Sequence, residues 1–123
     1  MDPRPLFFVG SARDDLRDLP EDVKDVFGYA LFLAQVGEMH PRSKPLRGFG
    51  GAGVIEVIDR DMTGAYRAVY TVRLADAIYV LHVFQKKSRR GISTPHQEIE
   101  LIRARLRQAE EHHAATFGGR AES

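Results

Sequence analysis

The most constraining feature of the sequence is the stretch Ala77 to Pro95, AIYVLHVFQKKSRRGISTP, in which an apolar run leads directly into clustered cations. The run Ile78 to Phe84 has the length and the aliphatic and aromatic content of a buried strand. Side chains alternate along a strand, so every second residue shares a face. One predicted face consists of Ile78, Val80, His82, Phe84 and Lys86. Both faces stay apolar until the last positions, which predicts a strand covered on both sides whose end alone reaches water.

The size of the chain fits one compact domain, since it has 123 residues of which 43% are hydrophobic. We expect a single domain over residues 1–113 and a flexible tail over 114–123, because AATFGGRAES shows no periodicity. The absence of cysteine excludes disulfides and thiolate metal sites and suits the cytoplasm. The five histidines show no ligand spacing, so we predict no metal and no cofactor. The N-terminal run PLFFVG is too short for a signal peptide or a membrane span, so no membrane association is expected.

The formal net charge of +1 conceals an uneven distribution of charge along the chain. Residues 1–38 carry four Lys/Arg against eight Asp/Glu, whereas residues 76–107 carry seven against three. This segregation predicts a positive face that would attract a polyanion or an acidic protein. Chance clustering of surface charges is the alternative.

The first half of the chain predicts one strand and two helices. Pro5 to Val9 is a short apolar segment ended by Gly10, and Ser11 begins a short helix. Pro20 begins a second helix, which Gly37 ends. Its buried stripe is predicted to contain Val23, Val26, Phe27, Ala30 and Ala34.

An irregular connection is predicted from Glu38 to Gly53, because this segment is rich in Gly, Pro and cations. Its GFGGAG sequence lacks the Gly-Lys-Ser/Thr ending and the following helix of a phosphate-binding loop, so a flexible loop is the better interpretation.

The second half predicts three strands and a helix. The strands are Val54 to Ile58, Tyr66 to Arg73 and Ile78 to Lys86, joined as an antiparallel meander. Thr94, Pro95 and Gln97 begin a final helix whose apolar stripe packs on the sheet. The predicted class is therefore α+β, with helices covering an antiparallel sheet.

Four segments of the sequence resemble the RelE/HigB superfamily of toxins, and its phage-derived HigB-like branch in particular. They are KPLRG (Lys44 to Gly48), AYRAVY (Ala65 to Tyr70), LHVFQKKS (Leu81 to Ser88) and TPHQEI (Thr94 to Ile99), and they occur in the order of that family. The resemblance implies the RelE fold and a ribosome-dependent endoribonuclease that cuts mRNA in the ribosomal A site without a metal. It implies as partners the ribosome, mRNA and a cognate helix-turn-helix antitoxin.

The resemblance also implies the catalytic residues. Arg67 occupies the position of the family's strand arginine, with a surface salt bridge as the alternative role. Lys86 and Lys87 end the neighbouring strand, where Lys87 aligns with a family cation; a solvated basic edge is the alternative. His82 is either a buried core histidine or an acid, base or positioning group. His96 lies near the position at which some relatives carry a tyrosine proton donor. The alternative is that it is simply a residue at the start of a helix.

Further cations are expected to contact RNA. They are Lys44, Arg47, Arg73, Arg89 and Arg90, and ordinary loop cations are the alternative for the first two. The sequence departs from ribosome-cutting members along Val54 to Ile58, where Ile55, Glu56 and Val57 stand in place of lysines. Glu56 is either a general base or a partner of Arg67. Tyr66 and Tyr70 are interpreted as core aromatics, with base stacking as the alternative.

Two other functions agree with these residues. The chain is alternatively a catalytically inactive toxin relative that acts as an RNA- or protein-binding module. It is also consistent with a structural phage-derived protein whose basic patch meets an acidic partner.

Overall fold

The computed structural model describes residues 2–51, 53–86 and 95–118. Lys87, Arg89, Arg90 and Thr94 lie outside these ranges. The described elements, in chain order, are β1 (Leu6–Phe8), α1 (Ala12–Arg17), α2 (Glu21–Gln35), β2 (Ser43–Pro45), β3 (Val54–Asp61), β4 (Gly64–Thr71), β5 (Ile78–Lys86) and α3 (His96–Phe117).

The described strands form one sheet in the order β1-β5-β4-β3-β2. β1 is parallel to β5, and the other pairs are antiparallel. The predicted α+β class and the meander of β3, β4 and β5 are confirmed. The sheet differs from the prediction by one strand, since β2 lies inside the segment predicted to be irregular. Three residues are too few to show alternation, and Pro45 fits an edge strand.

The two faces of the sheet are covered by different helices. α1 and α2 cover one face, where α2 buries Val23, Phe27, Ala30, Leu31 and Ala34. α3 covers the other face with Ile102, Leu106 and Ala109. The interior strand β5, between β1 and β4, is therefore buried on both sides, as its apolar run predicts.

A bulge in β5 corrects the predicted faces of this strand. Val69 pairs with His82 whereas Tyr70 pairs with Val80, so Leu81 is an extra residue on β5. Ile78 and Val80 face α1 and α2. Beyond the bulge the alternation is reversed, so the side chains placed on the α3 side are those of His82, Phe84 and Lys86.

The predicted tail also needs correction at its beginning. α3 continues to Phe117, whose ring centroid lies 5.2 Å from that of His113 and 6.3 Å from that of Phe7. This aromatic contact with β1 anchors the last helical turn, although Ala114 and Ala115 give no apolar period. Residues 119–123 lie outside the described part. None of the described helices combines the length and apolar character needed to cross a bilayer.

Candidate functional site

Four neighbouring strands bring charged side chains together on the α3 side of the sheet. Arg67 Nη1 of β4 lies 2.5 Å from Glu56 Oε1 of β3. Lys44 Nζ of β2 lies 3.9 Å from Glu56 Oε2. Lys86 of β5 interacts electrostatically with both Arg67 and Glu56. We call Lys44, Glu56, Arg67 and Lys86 the cationic cluster.

The register of the strands explains how separate segments of the sequence meet here. Lys44, on the edge strand β2, is directly opposite Glu56 of β3. Arg67 is opposite Ile58 on one side and Phe84 on the other, which makes Glu56 and Lys86 its diagonal neighbours. Diagonal neighbours on one face lie within reach of long side chains. The β5 bulge is decisive. If the alternation of Ile78 and Val80 continued without it, Lys86 would lie on the opposite face from Arg67.

Burial is uneven within the cationic cluster. Glu56 and Arg67 are each 4% exposed and Lys86 is 8% exposed, whereas the Lys44 side chain is 60% exposed. Lys44 is therefore the member that meets solvent most openly. Three cations surround one carboxylate, so the cluster keeps a net positive charge and favours binding of an anion such as a phosphate.

The pKa of Lys86 is lowered, chiefly because of its burial and then because of the positive charge of Arg67. Glu56 acts in the opposite direction. A lysine of lowered pKa releases its proton more readily than an ordinary lysine, which suits transfer of a proton to a leaving group.

His82 lies on the same face but is held by α3. Its Nε2 lies 2.5 Å from Glu98 Oε1, and its Nδ1 lies 3.5 Å from Arg105 Nη1. An arginine N–H only donates, so Nδ1 accepts and Nε2 carries the hydrogen of a neutral imidazole. Burial lowers the pKa of His82, although Glu98 raises it. Both ring nitrogens are engaged and the residue is buried, which favours the alternative of a hydrogen-bonded core histidine.

Three other predicted site residues that the structure describes, His96, Arg47 and Arg73, do not belong to the cationic cluster. His96 is largely exposed at the start of α3, where its Nε2 lies 3.9 Å from Glu100 Oε2. Arg47 is exposed in the loop after β2. Arg73 follows the far end of β4 and pairs with Glu110 at 3.8 Å. The predicted residues Lys87, Arg89 and Arg90 lie outside the described ranges.

The two candidate tyrosines face α1 and α2, on the opposite side of the sheet. Tyr70 donates a hydrogen bond to Ser43 Oγ at 3.2 Å, and burial raises its pKa. Tyr66 contacts the Thr63 hydroxyl. Both are core residues, in agreement with the preferred interpretation of the sequence.

Sequence reasoning missed Glu98 and Arg105, which fix His82 from α3. Arg105 also donates to the Leu81 carbonyl at 3.0 Å and to Ser11 Oγ at 3.2 Å. Arg105 gave no signal in the sequence, because polar residues of an amphipathic helix ordinarily face solvent. The available indication of a partner for His82 was Glu98, because it lies in the first turn of a helix that packs on the strand of His82.

The cluster does not coincide with one cavity formed by described residues. That cavity, of about 320 Å³, lies beside β1 and α1 and is lined by Leu6, Phe7, Phe8, Gly10, Arg13 and Asp14. No group of three or more His, Asp or Glu side chains in the described ranges is arranged to hold a metal. Charge convergence, rather than cavity shape, singles out the cationic cluster.

Comparison with solved structures shows the fold. A double mutant of the Escherichia coli toxin RelE in the free state aligns with a TM-score of 0.55 and 19% identity, over 87% of this chain and 98% of RelE. A chain of the toxin–antitoxin complex RelBE2 from Mycobacterium tuberculosis aligns at 27% identity and a TM-score of 0.47, over 72% of this chain and 97% of that chain. The alignment with RelE shows that the fold is RelE-like.

Sequence comparison gives the family. No curated protein sequence matches the chain significantly. The profile of the phage-derived Gp49-like proteins matches residues 14–107, about three quarters of the chain. The matched range includes β2 to β5 and hence the whole cationic cluster. The chain belongs to the family of phage-derived Gp49-like proteins.

Proposed function

We propose that this protein is the toxin of a toxin–antitoxin pair and that it cuts ribosome-bound mRNA in the cytoplasm without a metal. The observation that carries the proposal is the cationic cluster, where Lys44, Arg67 and Lys86 surround Glu56 on a RelE-like fold. One structural comparison is with a protein named as a toxin, and the other is with a chain of a toxin–antitoxin complex. The fold and the charges together support a toxin that acts on RNA.

The proposed chemistry is attack of a ribose 2′-oxygen on the adjacent phosphorus, with departure of the 5′-oxygen. An entering phosphate would replace Glu56 as the anion held by Arg67. The released carboxylate would take the 2′-hydroxyl proton, and Arg67 would stabilise the charge that grows on the phosphorane. Lys86, whose pKa is lowered, would give a proton to the departing 5′-oxygen. Lys44 would hold the RNA backbone at the solvent side.

One observation favours the alternative of an inactive binding module. Glu56 already neutralises Arg67, and both side chains are almost fully buried. A chain locked in this arrangement would bind RNA mainly through exposed cations such as Lys44. Retained RNA binding without any cleavage by the parent protein would support this alternative.

Induced expression in bacteria with mapping of mRNA 5′ ends tests the proposal. The parent should arrest growth and produce cuts at regular codon positions. Arg67→Lys keeps a charge but loses the bidentate guanidinium, so its cuts should be strongly reduced. Arg17→Ala, which changes an exposed arginine of α1, is the matched control and should cut like the parent. Cuts that persist unchanged in Arg67→Lys would refute the assignment of Arg67.

A further inference from the structure

The outward surface of α2 exposes large apolar side chains at its C-terminal end. Tyr29 is 56% exposed and Phe32 is 49% exposed, and Met39, just beyond the helix, is 50% exposed. Tyr29 and Phe32 are three positions apart in α2, so they share one face, and their exposure shows that this face is turned outward. Single exposed apolar residues are ordinary, but a grouped set of them marks an interaction surface.

A glycine lies next to these side chains in the helix. Gly28 lies in the interior of α2, where glycine is less favourable than every residue except proline. A Cβ at this position would meet no atom of the described residues within 4 Å, other than α2's own backbone. The packing of this chain therefore does not require a glycine here. One turn before Phe32, it forms a notch through which another backbone can approach α2 closely.

The charges on the same face are graded along the helix. Glu21, Asp22 and Asp25 are exposed in the N-terminal half, before the notch, and the apolar side chains follow it. This order matches a partner segment with basic residues at one end and apolar residues at the other. It disfavours RNA, because the carboxylates would repel phosphate groups.

We propose that the outward face of α2 binds an amphipathic helix of the antitoxin, with its apolar ridge on Tyr29, Phe32 and Met39. The lysines or arginines of that helix would lie beside Glu21, Asp22 and Asp25. A second copy of this chain fits less well. In a two-fold symmetric antiparallel pair centred on the notch, the acidic half of each α2 would face the apolar half of the other.

This site lies on the opposite side of the sheet from the cationic cluster, since α2 covers one face and Arg67 is on the other. The antitoxin helix would therefore bind without touching Arg67 or Lys86. The identity of the partner as an antitoxin rests on the proposed function, but binding at α2 does not require RNA cleavage.

Titration calorimetry with the purified product of the neighbouring gene tests the site. Gly28→Leu should weaken binding by at least about tenfold by filling the notch, and should raise the melting temperature by improving helix propensity. A fold defect cannot produce that combination. Phe32→Ser should also weaken binding. Gln108→Leu, at a position on α3 that is also exposed, should bind like the parent.

Three results would overturn the inference. They are parental affinity of Gly28→Leu, absence of binding by the neighbouring gene's product, and sedimentation of the chain alone as a dimer that Phe32→Ser dissociates. The last result would assign the surface to a second copy of the chain. A parent that binds this product at α2 but cuts no RNA would refute the proposed nuclease while upholding the α2 site.

Discussion

Arg67 and Glu56 form an ion pair between adjacent strands, with Arg67 Nη1 2.5 Å from Glu56 Oε1 and side chains only 5% and 6% exposed. Both charges are removed from water, and each is the nearest opposite charge that the described structure gives the other. The sheet thus holds a guanidinium in a fixed position on its α3 side. A ligand that takes the place of Glu56 must itself be an anion.

Replacing one partner should be far more damaging than replacing both. Arg67→Met or Glu56→Leu alone should lower the free energy of unfolding by about 3–5 kcal/mol, because a buried charge loses its nearest counterpart. Arg67→Met with Glu56→Leu should lose much less than the sum, as measured by urea unfolding. Additive losses would show that the two residues are not energetically coupled.

Lys44 should contribute to RNA binding through phosphate contact. Lys44→Ala should weaken binding of a single-stranded RNA and reduce the slope of log K against log salt by about 0.7, the value for one contact with a single strand. Lys24→Ala is the control, because Lys24 also lies near a glutamate but on α2. Fluorescence anisotropy at several salt concentrations measures both slopes. Equal slopes for Lys44→Ala and the parent would remove Lys44 from the interface.

His82 should make the fold less stable in mild acid. Burial lowers its folded-state pKa despite the nearby carboxylates of Glu98 and Asp15, with Arg105 adding to the decrease. The unfolded chain therefore takes up a proton near pH 6.5 while the folded chain resists it, and stability falls as the pH falls below that value.

Unfolding measured between pH 5 and 8 tests this role of His82. His82→Gln should show a weaker loss of stability toward pH 5 than the parent. His96→Gln, at a largely exposed position, should follow the parent. A pH dependence that is unchanged in His82→Gln would contradict the account.

Gly10 should tolerate no side chain. Its φ is +58°, and a Cβ there would lie 2.8 Å from the guanidinium of Arg105, which Leu81 and Ser11 hold in place. Gly10→Ala should lower the free energy of unfolding by about 1–3 kcal/mol. Gly37→Ala has a positive φ but no such contact with the described residues, so its loss should be smaller in thermal unfolding. Equal losses of unfolding free energy in Gly10→Ala and Gly37→Ala would mean that the Arg105 guanidinium moves away from the new Cβ without cost.

All the elements except β2 could be predicted in their correct order, because the signals for them are local. The apolar run of β5, Pro20 at the start of α2 and Gly37 after its end all correspond to elements in the structure. Arg67 was identified through the resemblance of its segment to a toxin family. Its pairing with Glu56 was one of two alternatives for that carboxylate, and the pairing depends on the register of β3 and β4, which local patterns do not give.

The remaining differences depend on contacts between distant segments. The bulge at Leu81 follows from the pairing of β5 with β4, and it transfers His82 and Lys86 to the face of Arg67. The end of α3 depends on the packing of Phe117 against Phe7. Neither feature has a periodic signal in its own segment, so local patterns could not reveal them.

The most direct test of the central claim is cleavage of a defined mRNA on purified ribosomes by the parent and by Arg67→Met with Glu56→Leu, a pair chosen to preserve the fold. We predict that the parent cuts and that the double variant is slower by at least about a hundredfold, since it lacks the charge that stabilises the phosphorane. Arg17→Ala should cut like the parent. Cleavage by the double variant at the parental rate, or no cleavage by the parent, would contradict the assignment of the cationic cluster as an RNA-cleaving site.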